Sequence, residues 1–99
     1  MDTAEIRFTW DEHKNRLNQK KDGISFVEAQ TVFYDKLARL IDDPEHSLHE
    51  ERAIMLGMSQ RMRLLIVCHA YYAHEQVIRI ISARKATKPE QRQYTEYYV

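Results

Sequence analysis

Three apolar-rich runs follow one another in the second half of the chain: RAIMLGM (52–58), LLIVCHAYY (64–72) and VIRIISAR (77–84). Each is short and set off by reversal signals, and the second and third are rich in β-branched or aromatic side chains. Residues 57–60 (GMSQ) and 72–76 (YAHEQ) supply those reversals. The spacing predicts an antiparallel meander. A further strand is expected at 37–42, ended by Asp43-Pro44. Pairing Tyr71 with Val77 sets Val67 opposite Ile81 and His69 opposite Arg79. A slip of one residue would separate the last pair, because neighbouring strand positions face opposite sides.

Upstream, IRFTW (6–10) alternates apolar and polar side chains and reads as a short strand. Asp11 is placed to cap a helix running to Lys21. That helix is mostly charged, with Leu17 as its strong apolar residue and Trp10 packed near its start. Asp22-Gly23 ends it, Gly23 taking the positive φ common at a helix C-terminus. Ser25 and Glu28 have capping-box spacing and open a helix over 25–33, whose buried face is Phe26, Ala29 and Phe33, with Val32 beside them. Thr87 and Glu90 repeat that spacing before a last helix, with Pro89 in its first turn. One strand, two helices, four strands and one helix make an α+β domain. Two N-terminal helices and one C-terminal helix pack on a mainly antiparallel sheet.

The 99 residues suffice for one domain with one core. The single cysteine, Cys68, has no internal disulfide partner and sits in an apolar run, where a buried, inert thiol is expected. The start, MDTAEIRF, carries no apolar leader segment, and no apolar run approaches the ~20 residues that span a bilayer. A cytoplasmic protein without a membrane partner is expected. His46 and His49 lie three apart in a polar loop, with no third ligand at suitable spacing, so no metal site is expected. No Walker loop, GxGxxG, HExxH or paired-cysteine motif is present, so no cofactor is expected.

The net charge is zero, so attraction for a polyanion must come from a local patch. One such patch is RIISARKATKPEQRQY (79–94), where a strand gives way to a helix. It holds Arg79, Arg84, Lys85, Lys88 and Arg92, with His69 on the neighbouring strand. Arg79 stands among apolar neighbours, so it is either paired with an acid such as Glu51 or turned to a functional surface. Arg84 and Lys85 stand beside a helix start, whose N–H groups favour an anion. Arginine grips a phosphate bidentately, and Arg52 can join it. Nearby tyrosines can stack on unpaired bases. These residues point to phosphate before they point to an enzyme. Cleaving RNA without a metal needs a base for the 2′-hydroxyl, cations for the phosphorane and an acid for the leaving oxygen. His69, Lys85 and Tyr94 are the titratable candidates.

FTWDEHKNRLNQKKDGISFVEAQTVFYD (8–35), DDPEHSLHEER (42–52) and RIISARKAT (79–87), followed by Glu90 and Tyr94, resemble the BrnT family of type II toxins. The positions that carry the first match are Phe8, Trp10, Asp11, Lys14, Asn18, Gly23, Ser25, Phe26, Glu28, Ala29, Val32, Phe33 and Asp35. The chain departs from the family's pattern at Asp22, often histidine, and at Gln91, where the family has arginine. The resemblance implies a RelE-like fold and a metal-independent endoribonuclease that inhibits translation. It also implies a cognate ribbon-helix-helix antitoxin, BrnA-like, with which the toxin represses its own operon. Operator DNA would then be contacted through the antitoxin. The candidate catalytic residues are His69, Arg79, Arg84, Lys85 and Tyr94. Arg52, Ser82, Lys88 and Arg92 are candidate RNA contacts. The alternative is a non-catalytic antitoxin-binding module acting only as transcriptional corepressor.

Overall fold

The computed structural model describes residues 5–42 and 52–96. The expected Asp43-Pro44 stop, the His46–His49 loop and Glu51 lie outside them. The elements run β1 (Arg7–Thr9), α1 (Glu12–Asp22), α2 (Phe26–Thr31), β2 (Arg39–Asp42), β3 (Arg52–Met58), β4 (Leu64–Tyr72), β5 (Val77–Lys85) and α3 (Lys88–Thr95). The sheet order is β1-β5-β4-β3-β2. The meander β3-β4-β5 and the β2–β3 pair are antiparallel, as expected. β1 is the addition: it lies parallel to β5 on the far edge, so the sheet is mixed. No helix among the described residues is long and apolar enough to cross a membrane.

The sheet is covered on both faces. On one side α1, α2 and a 3-10 turn (Val32–Tyr34) bury Ile24, Phe26, Ala29 and Val32 against Leu65, Val67, Ile78, Ile80 and Ala83. On the other, Tyr94 of α3 and Ala86 of the connection before it pack onto Leu56 and Ile66. We call these the α1 face and the α3 face.

Local chemistry explains the helix ends. Asp11 accepts from Lys14 N–H, and Gly23 closes α1 at φ 73°. Thr87 and Glu90 form a complete capping box on α3. The Ser25–Glu28 box is only half made. Ser25 accepts from Glu28 N–H, but the Glu28 carboxylate turns inward to Arg63 and Ser59. There it ties α2 to the turn between β3 and β4. α2 stops at Thr31, short of the expected Phe33, and Phe33 is half-buried. α1 does not dock through Leu17, which is 50% exposed. It docks through two buried amides, Asn15 and Asn18. Gly57 belongs to β3 rather than to a reversal. A Cβ there would meet Val32 Cγ1 at 2.8 Å and Ala38 Cβ at 2.9 Å, so only glycine lets the strand approach this closely.

The register of β4 and β5 differs from the expected one. Tyr72 pairs with Val77, Ala70 with Arg79 and His69 with Ile80. His69 is therefore not opposite Arg79, and the two side chains leave opposite faces of the sheet.

Candidate nucleic-acid interface

One extra residue in β5 builds the site. His69 pairs with Ile80, yet its neighbour Cys68 pairs with Ser82. Ile81 has no partner on β4 and forms a bulge. Along an unbroken strand, residues 79 and 84 differ in parity and face opposite sides. The bulge shifts the alternation by one. Ile78, Ile80 and Ala83 all reach the α1 core, and Arg79, Ser82 and Arg84 all turn to the α3 face.

The cross-strand rows complete that face. Arg52, Ala70, Arg79 and Thr9 lie side by side across β3, β4, β5 and β1. Adjacent strands are about 4.8 Å apart, so Arg52 and Arg79 stand roughly 10 Å apart with the small Ala70 between them. The next row holds Ile41, Ile54, Cys68 and Ser82, and the row nearest α3 holds Arg39, Leu56, Ile66 and Arg84. Arg7 and Tyr72 lie on either side of Val77 at the opposite end. The described strand positions on this face include five arginines, 7, 39, 52, 79 and 84, and no carboxylate or imidazole.

These arginines differ in their surroundings. Arg79 is half-buried, and its side chain has no hydrogen-bond or ion-pair partner among the described residues. Such a cation, set in a sheet and held out of bulk water on part of its surface, is suited to an anion from outside. Arg84 is held by Glu90 of α3 through two hydrogen bonds of 2.9 Å. Glu90 Oε1 also accepts the Thr87 N–H at 2.8 Å. The Arg84 guanidinium, opposed in part by burial, lowers the Glu90 pKa to about 2. Arg39 donates from Nη1 to Gln93 O at 2.8 Å, tying β2 to α3.

The other sequence candidates fall elsewhere. His69 is 3% exposed on the α1 face, edge-on to Phe33 at 4.8 Å. Burial lowers its pKa below the usual 6.5, against a raising contact between Nδ1 and the Val67 carbonyl. Lys85 ends β5 beside Leu65, on the α1 side, and is exposed. Lys88 and Arg92 are exposed on α3. Tyr94 is buried, and its hydroxyl donates to Asp35 Oδ2 at 2.7 Å. Burial raises the Asp35 pKa, but hydrogen bonds from Met58 N–H, the Tyr94 hydroxyl and Leu37 N–H outweigh it and leave it below the usual value. Cys68 lies within the arginine face and is half-buried. No group of three His, Cys, Asp or Glu side chains placed to hold a metal occurs among the described residues.

Sequence reading missed Arg7, Arg39 and Tyr72. Alternation within IRFTW could have set Arg7 opposite the core side chain Phe8, whereas in RLID Arg39 shares its face with Ile41, which packs on the core. Their common face depends on which strands β1 and β2 join, and that pairing is non-local.

The description "Ribonuclease toxin, BrnT, of type II toxin-antitoxin system" belongs to a family model that matches residues 10–90. None of the curated proteins matches the chain. Among solved structures, the crystal structure of the Brucella abortus ribonuclease toxin BrnT is similar, with a TM-score of 0.65 and 19% identity over 85% of this chain and 100% of that one. At that identity the likeness carries the fold alone. With a family model spanning most of its length and the fold alike, the chain belongs to the BrnT family of ribonuclease toxins of type II toxin–antitoxin systems.

Proposed function

We propose that this chain is a metal-independent endoribonuclease of RelE-like fold that cuts RNA on the α3 face of its sheet and so inhibits translation in the cytoplasm. The observation that carries the reading is the bulge at Ile81, which turns Arg79, Ser82 and Arg84 to one side, with Arg52 across Ala70. Arg79 and Arg84 hold the scissile phosphate, and Arg52 holds a neighbouring one. The 2′-hydroxyl oxygen attacks phosphorus, the P–O5′ bond breaks, and the 2′ proton is made up at the leaving 5′ oxygen. The described face offers cations rather than a base of tuned pKa. Rate enhancement is therefore assigned chiefly to stabilising the phosphorane charge and to holding the attack in line. Ser82 contributes a hydroxyl beside the phosphate, and Lys88 and Arg92 extend the cationic surface along α3.

Membership of a type II family brings an antitoxin as partner. We assign it a ribbon-helix-helix DNA-binding part and a segment whose carboxylates occupy the arginine face in place of RNA. Glu90 on Arg84 already supplies that chemistry within the chain. The complex would repress its own operon, the antitoxin making the contacts to operator DNA.

The test uses the purified, antitoxin-free chain with a defined messenger RNA in EDTA. New 5′ ends are mapped by primer extension, beside Arg79→Ala. Discrete ends that vanish in the variant support the reading. A folded wild-type chain that cuts nothing, alone or in a translation extract, defeats it and leaves the corepressor role.

A further inference from the structure

Asn18 on α1 is 8% exposed, and its side-chain amide is fully engaged. Nδ2 donates to Ala83 O at 2.8 Å and to Ile24 O at 2.8 Å. Oδ1 accepts the Ala83 N–H at 3.1 Å. β1 pairs with β5 only at Val77, Ile78 and Arg79. Beyond Arg79 the outer edge of β5 has no β1 residue beside it. Asn18 takes both backbone groups of Ala83 there, as a neighbouring strand would. Ala83 lies between Ser82 and Arg84, two residues past the bulge at Ile81.

Building on the reading of the α3 face as the RNA site, we propose that Asn18 is a positioning residue for it. By clamping Ala83, Asn18 holds the bulge in one register and keeps Ser82 and Arg84 on the same side as Arg79. A strand with one extra residue can place that residue at more than one position, and moving it turns the intervening side chains over. Cross-strand pairing to β4 alone does not choose among these placements as firmly as a clamp on both groups of one residue. Apolar packing of α1 does not duplicate the clamp, since Leu17 is half exposed and the buried side chains of α1 are Asn15 and Asn18. Only a carboxamide suits the position, because it must both donate twice and accept. Aspartate keeps the acceptor and loses both donors.

The test measures the folded chain's affinity for an RNA oligonucleotide against salt, and its cleavage rate, for wild type, Asn18→Asp, Asn18→Ala and Arg84→Ala, and for Asn18→Ala combined with Arg84→Ala. Asn15→Ala is the control, since Asn15 Oδ1 holds the Phe26 N–H at 2.8 Å and its side chain makes no hydrogen bond to β5 among the described residues. Asn18→Ala should slow cleavage about 10²-fold. It should also flatten the slope of log affinity against log salt by about 0.7, the loss of one phosphate contact on a single strand. In the Arg84→Ala background it should cost little more, where a purely structural role would give additive losses. Asn15→Ala should keep the wild-type slope. If Asn18→Ala does not fold, Asn18→Asp and amide exchange in the wild-type chain decide. Ala83 N–H should exchange as slowly as the paired amides of β5, and fast exchange there overturns the clamp. Folded Asn18 variants with wild-type slope and rate overturn the positioning role alone. A wild-type chain that neither binds nor cuts RNA defeats the reading of the face, and the positioning role with it.

Discussion

Arg84 and Glu90 face each other fork to fork, Nη1 on Oε1 and Nη2 on Oε2, each at 2.9 Å. The same carboxylate caps α3 by accepting the Thr87 N–H. One acidic side chain therefore anchors the helix start and aims a guanidinium of the arginine face.

The pair gives a defined acid response. Glu90 is lowered from 4.5 to about 2 on folding, so its contribution is fully present above pH 4.5 and is lost as the pH falls toward 2. In Glu90→Gln this contribution is absent at every pH. The unfolding free energy of wild type from urea titration should exceed that of the variant at neutral pH by a margin on the order of 1 kcal/mol, since Arg84 is 45% exposed. The gap should close as the pH falls toward 2. A gap that stays constant with pH would show that the carboxylate charge contributes nothing.

Arg79 has the simplest expectation. It has no side-chain partner among the described residues to lose, so Arg79→Ala should leave the thermal midpoint nearly unchanged. Cleavage should fall by about 10²–10³, as when one donor to a developing oxyanion is removed. Melting curves and single-turnover cleavage on the same samples check both halves. Unchanged cleavage by the folded variant would remove Arg79 from the site.

His69 should matter for stability and not for cleavage. Its pKa is lowered in the folded state by burial, so the unfolded chain takes up its proton first as pH falls below 6.5. Wild-type stability should therefore decline on acidification below 6.5, and part of that decline should be missing in His69→Phe. The phenyl ring can keep the packing against Phe33. Cleavage by the folded variant at pH 7 should be close to wild type. A large loss of rate, with folding intact, would return His69 to the list of proton-moving groups.

Much of the fold was legible because it is local. The alternation in β3, β4 and β5, the Thr87–Glu90 box and the Gly23 stop each depend on neighbours in sequence. The face that carries the arginines was not legible in the same way. Simple alternation sends Arg79 and Arg84 to opposite sides, and only the bulge reunites them. The signal was present in Ile78, Ile80 and Ala83, whose spacing changes from two to three, but a buried alanine is too common to reveal it. α1 was harder still. Its anchors are Asn15 and Asn18, polar residues that look solvated until their partners on other elements are known. The parallel pairing of β1 to β5 joins segments 70 residues apart, Arg7 to Val77, and leaves no mark in either segment alone.

Tyr94 separates a latch from a proton donor. Its hydroxyl donates to Asp35 Oδ2, which also accepts the Met58 N–H at 2.8 Å, while Oδ1 accepts the Leu37 N–H at 2.9 Å. Through these bonds Tyr94 ties α3 to the end of β3 and to the segment before β2. In Tyr94→Phe the ring remains against Leu56 and Ile66, and Asp35 keeps its two backbone donors. The loss should be about 1.5–3 kcal/mol, the contribution of a hydrogen bond to a charged acceptor. Cleavage per folded molecule should stay near wild type well below the melting temperature, because the hydroxyl is directed at Asp35 rather than at the arginine face. Measuring the urea midpoint and the single-turnover rate together distinguishes the roles. A normal midpoint with a rate reduced by tenfold or more would make Tyr94 a proton donor to the leaving oxygen.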